Sequence, residues 1–186
     1  MPKTITPWSA AALTMLALGA SFSAEAQKVK LATTAGDIVI ELDAAKAPKS
    51  VDNFVQYVKA GHYNGTIFHR VIANFMIQGG GMGADRAEKS TRAPIPLESR
   101  NGLVNTRGTV AMARTMDPNS ATAQFFINVK DNDFLNAAQS RDGNGYAVFA
   151  KVISGMDVVD KIRNAPTGPG DFPNEPVAIK QATLEK

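Results

Sequence analysis

Short runs in which every second residue is apolar recur along this chain, and that alternation limits its fold more than any other feature. Successive side chains of a strand point to opposite faces, so a period of two marks strands with one buried face. Val29–Leu31 and Asp37–Leu42 are such runs, and Thr33–Gly36 between them reads as a hairpin turn. Further strands are predicted at Ile67–Ile72, Phe75–Gln78, Thr109–Ala113, Gln124–Val129, Ala147–Ile153 and Val177–Leu184. Two segments have helical spacing instead. In the first, Pro48 suits the opening turn, Val51, Phe54, Val55 and Val58 share one face, and Gly61 lies just past the end. The second, Met156–Arg163, is stopped by Pro166. Eight short strands and two helices that do not alternate regularly predict a mainly β domain, an antiparallel barrel or sandwich.

Residues 1–26 follow another pattern. Lys3 and the amino terminus give a thin positive start, and Ala10–Phe22 is mostly Ala, Leu, Met and Gly. Ala24 and Ala26 then supply the small-x-small pattern that signal peptidase requires. The apolar run is about 13 residues long, too short to span a bilayer and the right size for a signal-peptide core. The expectation is a leader at 1–26 and a single domain at 27–186, with no membrane segment once the leader is removed.

Composition excludes several chemistries. The 186 residues contain no cysteine, which rules out disulfides, thiolate metal sites and a thiol nucleophile. The two histidines, His62 and His69, do not form a recognisable zinc pair. His62 is expected at the surface and His69 as a structural strand residue. Net charge is +3, but the Lys and Arg are scattered, whereas a nucleic-acid footprint would cluster them. Nothing around Ser90, Ser99, Ser120 or Ser140 resembles a nucleophile elbow. Gly79–Gly83 lacks the Lys-Ser/Thr of a phosphate-binding loop and reads as a turn. Asp131 and Asp133 lack the Gly and distal Glu of a calcium loop and read as a solvated turn.

The segment with most chemical content is Tyr63–Gly80. It sets Arg70 and Gln78 among Phe68, Phe75 and Met76, with a turn at Ala73–Asn74. Simple alternation puts Phe68 and Arg70 on one strand face. An apolar surface with a few fixed donors is the usual build of a small-ligand pocket. The same residues would equally suit a core strand pair with an arginine at its rim. Polar connections at 79–103, 115–123 and 136–145 are long enough to frame a groove.

Tyr63–Gly80 resembles the signature of the cyclophilin-type peptidyl-prolyl cis-trans isomerases, in the runs Phe68–Ile72 and Phe75–Gly80. Gly108–Ala113, Gln124–Asn128, Phe134–Leu135 and Ala147–Phe149 follow in family order, so the likeness extends over about Val29–Leu184. Asn105–Arg114 and Asp131–Leu135 resemble the bacterial exported branch. The resemblance implies a closed eight-stranded antiparallel β-barrel capped by two α-helices. It implies rotation about Xaa-Pro bonds as the activity, with no cofactor, no metal and no nucleic acid. Arg70 is then the catalytic guanidinium, and Gln78 orients it and the substrate. Phe75, Met76, Phe126 and Leu135 line the proline pocket, Ala113 and Arg114 meet the peptide backbone, and Gln124 lies on the groove wall.

Two departures bear on the pocket. Phe134 stands where many eukaryotic members have Trp, and Tyr146 where many have His. The loop between Ala113 and Gln124 is one residue longer than the family pattern. The implied partners are proline-containing unfolded or exported polypeptides, with cyclosporin-like ligands bound weakly. The implied setting is the periplasm of a Gram-negative bacterium, or the exterior, and the implied state a monomer. A non-catalytic peptide-binding chaperone using the same groove is the alternative.

Overall fold

The structure is a computed structural model and describes residues 27–185, so the leader expected at 1–26 lies outside the described residues. Eight strands occur in chain order: β1 Lys28–Thr33, β2 Asp37–Leu42, β3 Thr66–Ile72, β4 Met76–Gly83, β5 Thr109–Met112, β6 Phe125–Asn128, β7 Val148–Ser154 and β8 Ile179–Glu185. Helix α1, Pro48–Lys59, follows β2, and α2, Met156–Arg163, follows β7. Short 3-10 turns cover Asp133–Leu135 and Pro169–Asp171. Each predicted strand and helix is present, with small shifts at the ends except in β4, which runs past the predicted end at Gln78 to Gly83. No helix among the described residues is long and apolar enough to cross a membrane.

All strands join one sheet in the order β3-β4-β6-β5-β7-β2-β1-β8, and every pairing is antiparallel. The sheet curls around a core that includes Leu31, Ile40, Phe68, Val71, Ile77, Val110, Phe125, Ile127 and Phe149. Helix α1 covers this core with the face the spacing predicts. Phe54 packs against Tyr63, Phe125 and Phe149, with ring centroids 4.9, 5.5 and 5.1 Å away. Each such large apolar side chain contributes about 1.5–3 kcal/mol on burial. The start of α1 is capped from a distance, because the Glu98 carboxylate accepts from the Lys49 and Ser50 N–H groups at 3.0 and 2.8 Å. That contact satisfies amides no helix turn can reach and sets an anion at the positive end of the helix.

The expected closure of the barrel is not found. β3 and β8 stand at the two ends of the sheet order and do not form a ladder. They touch through an Ile67–Ala178 bridge and two neighbouring backbone bonds, Gly65 N–H to Ile179 O and Phe68 N–H to Val177 O. Pro176, just before this contact, has no N–H to extend it. The register of β3 also shifts twice, between Thr66 and Phe68 and between Phe68 and Arg70. The result is an open, strongly curled sheet.

Gly79–Gly83 is likewise not a turn, since β4 runs through it. Gly79 pairs with both Phe68 and Phe125. A Cβ on Gly80, whose φ is +85°, would sit 2.9 Å from the Tyr63 ring and 3.1 Å from the Ala123 carbonyl oxygen. Glycine here serves the close approach of aromatic rings to the strand. His62 is half-buried rather than fully exposed, with its Nε2 3.0 Å from the Gly80 carbonyl oxygen.

Candidate active site

Four adjacent strand pairings line up a single row of residues. Arg70 pairs with Gln78, Gln78 with Phe126, Phe126 with Ala111, and Ala111 with Val148. Paired residues share a sheet face, so this row crosses five strands at about 4.8 Å per step. The row lies on the face opposite the main core, because its sequence neighbours Val71, Ile77, Phe125, Ile127, Val110 and Phe149 belong to that core. The expected pairing of Phe68 with Arg70 on one face fails for the same reason. Phe68 points into the core, and the bulge between it and Arg70 turns Arg70 outward.

A second apolar cluster sits on this outer face. Met76, Ala111, Phe126, Leu135 and Val148 form its buried part, with Ile72, Phe75, Leu103, Ala113 and Tyr146 packed around them. Phe134 extends the wall by stacking on Phe75, centroids 5.5 Å apart, and stays 54% exposed at the rim. Tyr146 meets the Phe126 ring edge-on at 5.6 Å. The predicted pocket residues therefore come together as one half-open apolar surface with Arg70 and Gln78 at its end.

The polar groups are arranged differently from expectation. The Gln78 amide donates to Gln124 Oε1 at 2.8 Å and makes no hydrogen bond to Arg70. Arg70 instead donates from Nε to Asp171 Oδ2 at 3.3 Å. Arg114 is occupied within the protein. Its side chain is 3% exposed, donates to the Gly145 and Thr115 carbonyl oxygens at 2.9 Å each, and pairs with the Asp142 carboxylate. Its guanidinium also lies 4.6 Å from the centre of the Tyr146 ring. Arg114 thus offers a peptide only its backbone. Asp142 is held well below the usual carboxylate range by the Asn144 N–H first, then by Arg114 and the Gly145 N–H.

Three buried asparagines underpin the wall. Asn128 donates to Asn105 Oδ1 at 3.1 Å and to Thr109 Oγ1 at 2.9 Å. Asn132 donates to Asn128 Oδ1 at 2.8 Å and to the Phe75 carbonyl oxygen at 2.9 Å. This network ties the 133–135 turn, and with it Phe134 and Leu135, to β6 and to Phe75. Neither it nor Asp171 is visible in the sequence, because no short-range spacing signals either. His69 is buried beside the site with no partner for Nδ1, and burial lowers its pKa. A cavity of about 640 Å³ adjoins the Val148 end of the row, between β2, β7 and residues 102–106, sharing Val148 and Leu103 but containing neither Arg70, Gln78 nor Phe126. The row, not that cavity, carries the donors.

Comparison with known proteins agrees with this geometry. The family model described as cyclophilin type peptidyl-prolyl cis-trans isomerase/CLD matches residues 28–184. The chain is 58% identical to the Streptomyces antibioticus peptidyl-prolyl cis-trans isomerase cyp18, over 84% of this chain and 97% of that one. It is 50% identical to peptidyl-prolyl cis-trans isomerase A of Dickeya dadantii, over the whole of both chains. Among solved structures, a Cryptosporidium parvum cyclophilin type peptidyl-prolyl cis-trans isomerase, crystallised in the presence of the dipeptide Ala-Pro, superposes with a TM-score of 0.73. That match has 28% identity and covers 86% of this chain and 99% of the other. With its curled antiparallel sheet, two helices and outer row of Arg, Gln and Phe, the chain belongs to the cyclophilin-type peptidyl-prolyl cis-trans isomerases and catalyses rotation about Xaa-Pro bonds.

Proposed function

We propose that Arg70 stabilises the twisted prolyl amide while Phe126, Met76, Phe75 and Leu135 hold the proline ring. The row that aligns Arg70, Gln78 and Phe126 across three neighbouring strands carries this reading. Rotation about C–N must cross about 18–20 kcal/mol of lost amide resonance. No covalent bond is made or broken, so the protein need only bind the twisted state better than the planar one. As resonance is lost, the prolyl nitrogen becomes pyramidal and gains a lone pair. A guanidinium can donate to that nitrogen and to the rotating carbonyl oxygen. A preorganised donor of this kind is worth about 3–4 kcal/mol.

Gln78, fixed by Gln124, faces the same groove and orients the substrate chain. Ala113 and the Arg114 backbone receive the peptide on the opposite side. Phe134 and Tyr146 set the outer rim. In this reading the substrates are proline-containing exported polypeptides, and the protein assists their folding as a monomer in the periplasm, after removal of residues 1–26. The Ala24-x-Ala26 pattern supports that export.

Exchange NMR on a short Xaa-Pro peptide tests the assignment, since it reports affinity and on-enzyme isomerisation together. Arg70→Ala should lower the rate about a hundredfold and affinity far less, because an interaction made only in the transition state lowers kcat and kcat/KM together. A near wild-type rate would sink the assignment and favour a groove that merely binds peptide.

A further inference from the structure

We propose that Asp171 is a positioning residue for the catalytic guanidinium, a role that rests on the reading of Arg70 above. Asp171 takes the Nε–H of Arg70 at 3.3 Å, and among the described residues neither terminal nitrogen of Arg70 has a hydrogen-bond partner. The carboxylate therefore fixes the plane of the guanidinium through the one nitrogen that a substrate amide does not need. Both terminal nitrogens stay available. The Arg70 and Asp171 side chains are 42% and 44% exposed, so without this contact the long arginine side chain would sample many rotamers.

The backbone supplies an independent observation. Asp171 has a φ of +60°, in the left-handed region that favours glycine. Glycine already stands next to it at position 170, with a φ of +71°. Aspartate enters this region more readily than most side chains, at some cost relative to glycine, and here it carries the carboxylate that Arg70 uses. The loop that presents it is held on both sides. Gly168 N–H donates to the Phe172 carbonyl oxygen at 2.8 Å, and Asn174 N–H to that of Pro166 at 2.9 Å. The Arg86 guanidinium lies 4.2 Å from the centre of the Phe172 ring, which docks the loop onto the turn after β4. Asp171 is thus delivered to Arg70 by a braced loop.

Activity and stability should move in opposite directions on Asp171→Gly, which distinguishes positioning from a structural role. Relief of the left-handed strain should raise Tm. The on-enzyme isomerisation rate should fall about two- to fivefold, the upper part of the range for an exposed ion pair. Peptide affinity should change less than about twofold. Asp171→Asn retains an acceptor for Nε–H and should keep most of the rate. In an Arg70→Ala background, Asp171→Gly should have no further effect on rate. If Asp171→Gly isomerises as fast as wild type while Arg70→Ala is inactive, the positioning role is wrong and the reading of Arg70 stands. If Arg70→Ala is itself fully active, both fall.

Discussion

Two arginines border the groove, and they are treated in contrasting ways. Arg114 is buried and uses its whole guanidinium on Gly145, Thr115, Asp142 and the face of Tyr146. Arg70 is half-exposed and has a single partner, Asp171. One guanidinium is consumed in holding a loop; the other is kept with donors to spare. Partner count and exposure thus set the two guanidinium groups apart. Burying a guanidinium is tolerable only when its hydrogen bonds are met, whereas a catalytic one must keep some unmet until substrate arrives.

The largest expected effect separates the two arginines most sharply. Arg70→Ala should cost about a hundredfold in isomerisation rate with little change in Tm, and Arg70→Lys should restore little of it, because an ammonium lacks the planar fork. Arg114→Ala should do the reverse at first order. It leaves the Gly145 and Thr115 carbonyl oxygens without their guanidinium donor and should lower the denaturant midpoint. An Arg114→Ala protein of unchanged stability would break the contrast.

Smaller effects sharpen it. Phe134 is an exposed rim residue with no hydrogen-bond donor. Phe134→Trp should therefore tighten cyclosporin-like ligands about fivefold, the low end of what restoring one donor gives. Calorimetry on the two proteins decides, and equal affinities would show that the missing donor at Phe134 does not matter to such ligands. The smallest effect is in pH. Burial lowers the pKa of His62 and of His69, so both bind protons more readily unfolded than folded. Stability is then full above about pH 6.5 and declines as pH falls below it. The Asp142 carboxylate adds a second decline on the acid side of about pH 4, since its folded pKa is also depressed. Asp160, held down mainly by its hydrogen bond from Arg107, shares that limb, so Asp142→Asn should shrink it without removing it, as followed by thermal melts across pH.

Legibility in the sequence followed the range of the interaction. The strands and helices were readable because alternation and helical spacing are local. The pocket residues were nameable by family likeness, and the sheet does bring them to one face. What stayed hidden depends on partners far away in sequence. The bulge that turns Arg70 outward is a property of the β3–β4 register, not of β3 alone. The open edge follows from how β3 and the segment around Pro176 meet. Asp171 lies 101 residues from Arg70, in a Pro- and Gly-rich stretch that reads as punctuation. Gly79–Gly83 misled because glycine signals a turn when read alone, whereas here it clears space for Tyr63 and Phe125.

The row from Arg70 to Val148 has a kinetic corollary. Its members come from β3, β4, β6, β5 and β7, and every neighbour in the row depends on a strand pairing. The β3–β4 pair is a hairpin and can form early, but β4–β6 and β5–β7 must close long loops first. Such non-local pairings make folding slow. The groove therefore comes into being only when most of the sheet is in place, and a half-assembled chain holds the arginine without the ring pocket beside it. A catalyst of this design gains its activity late in its own folding, in one step with the completed sheet.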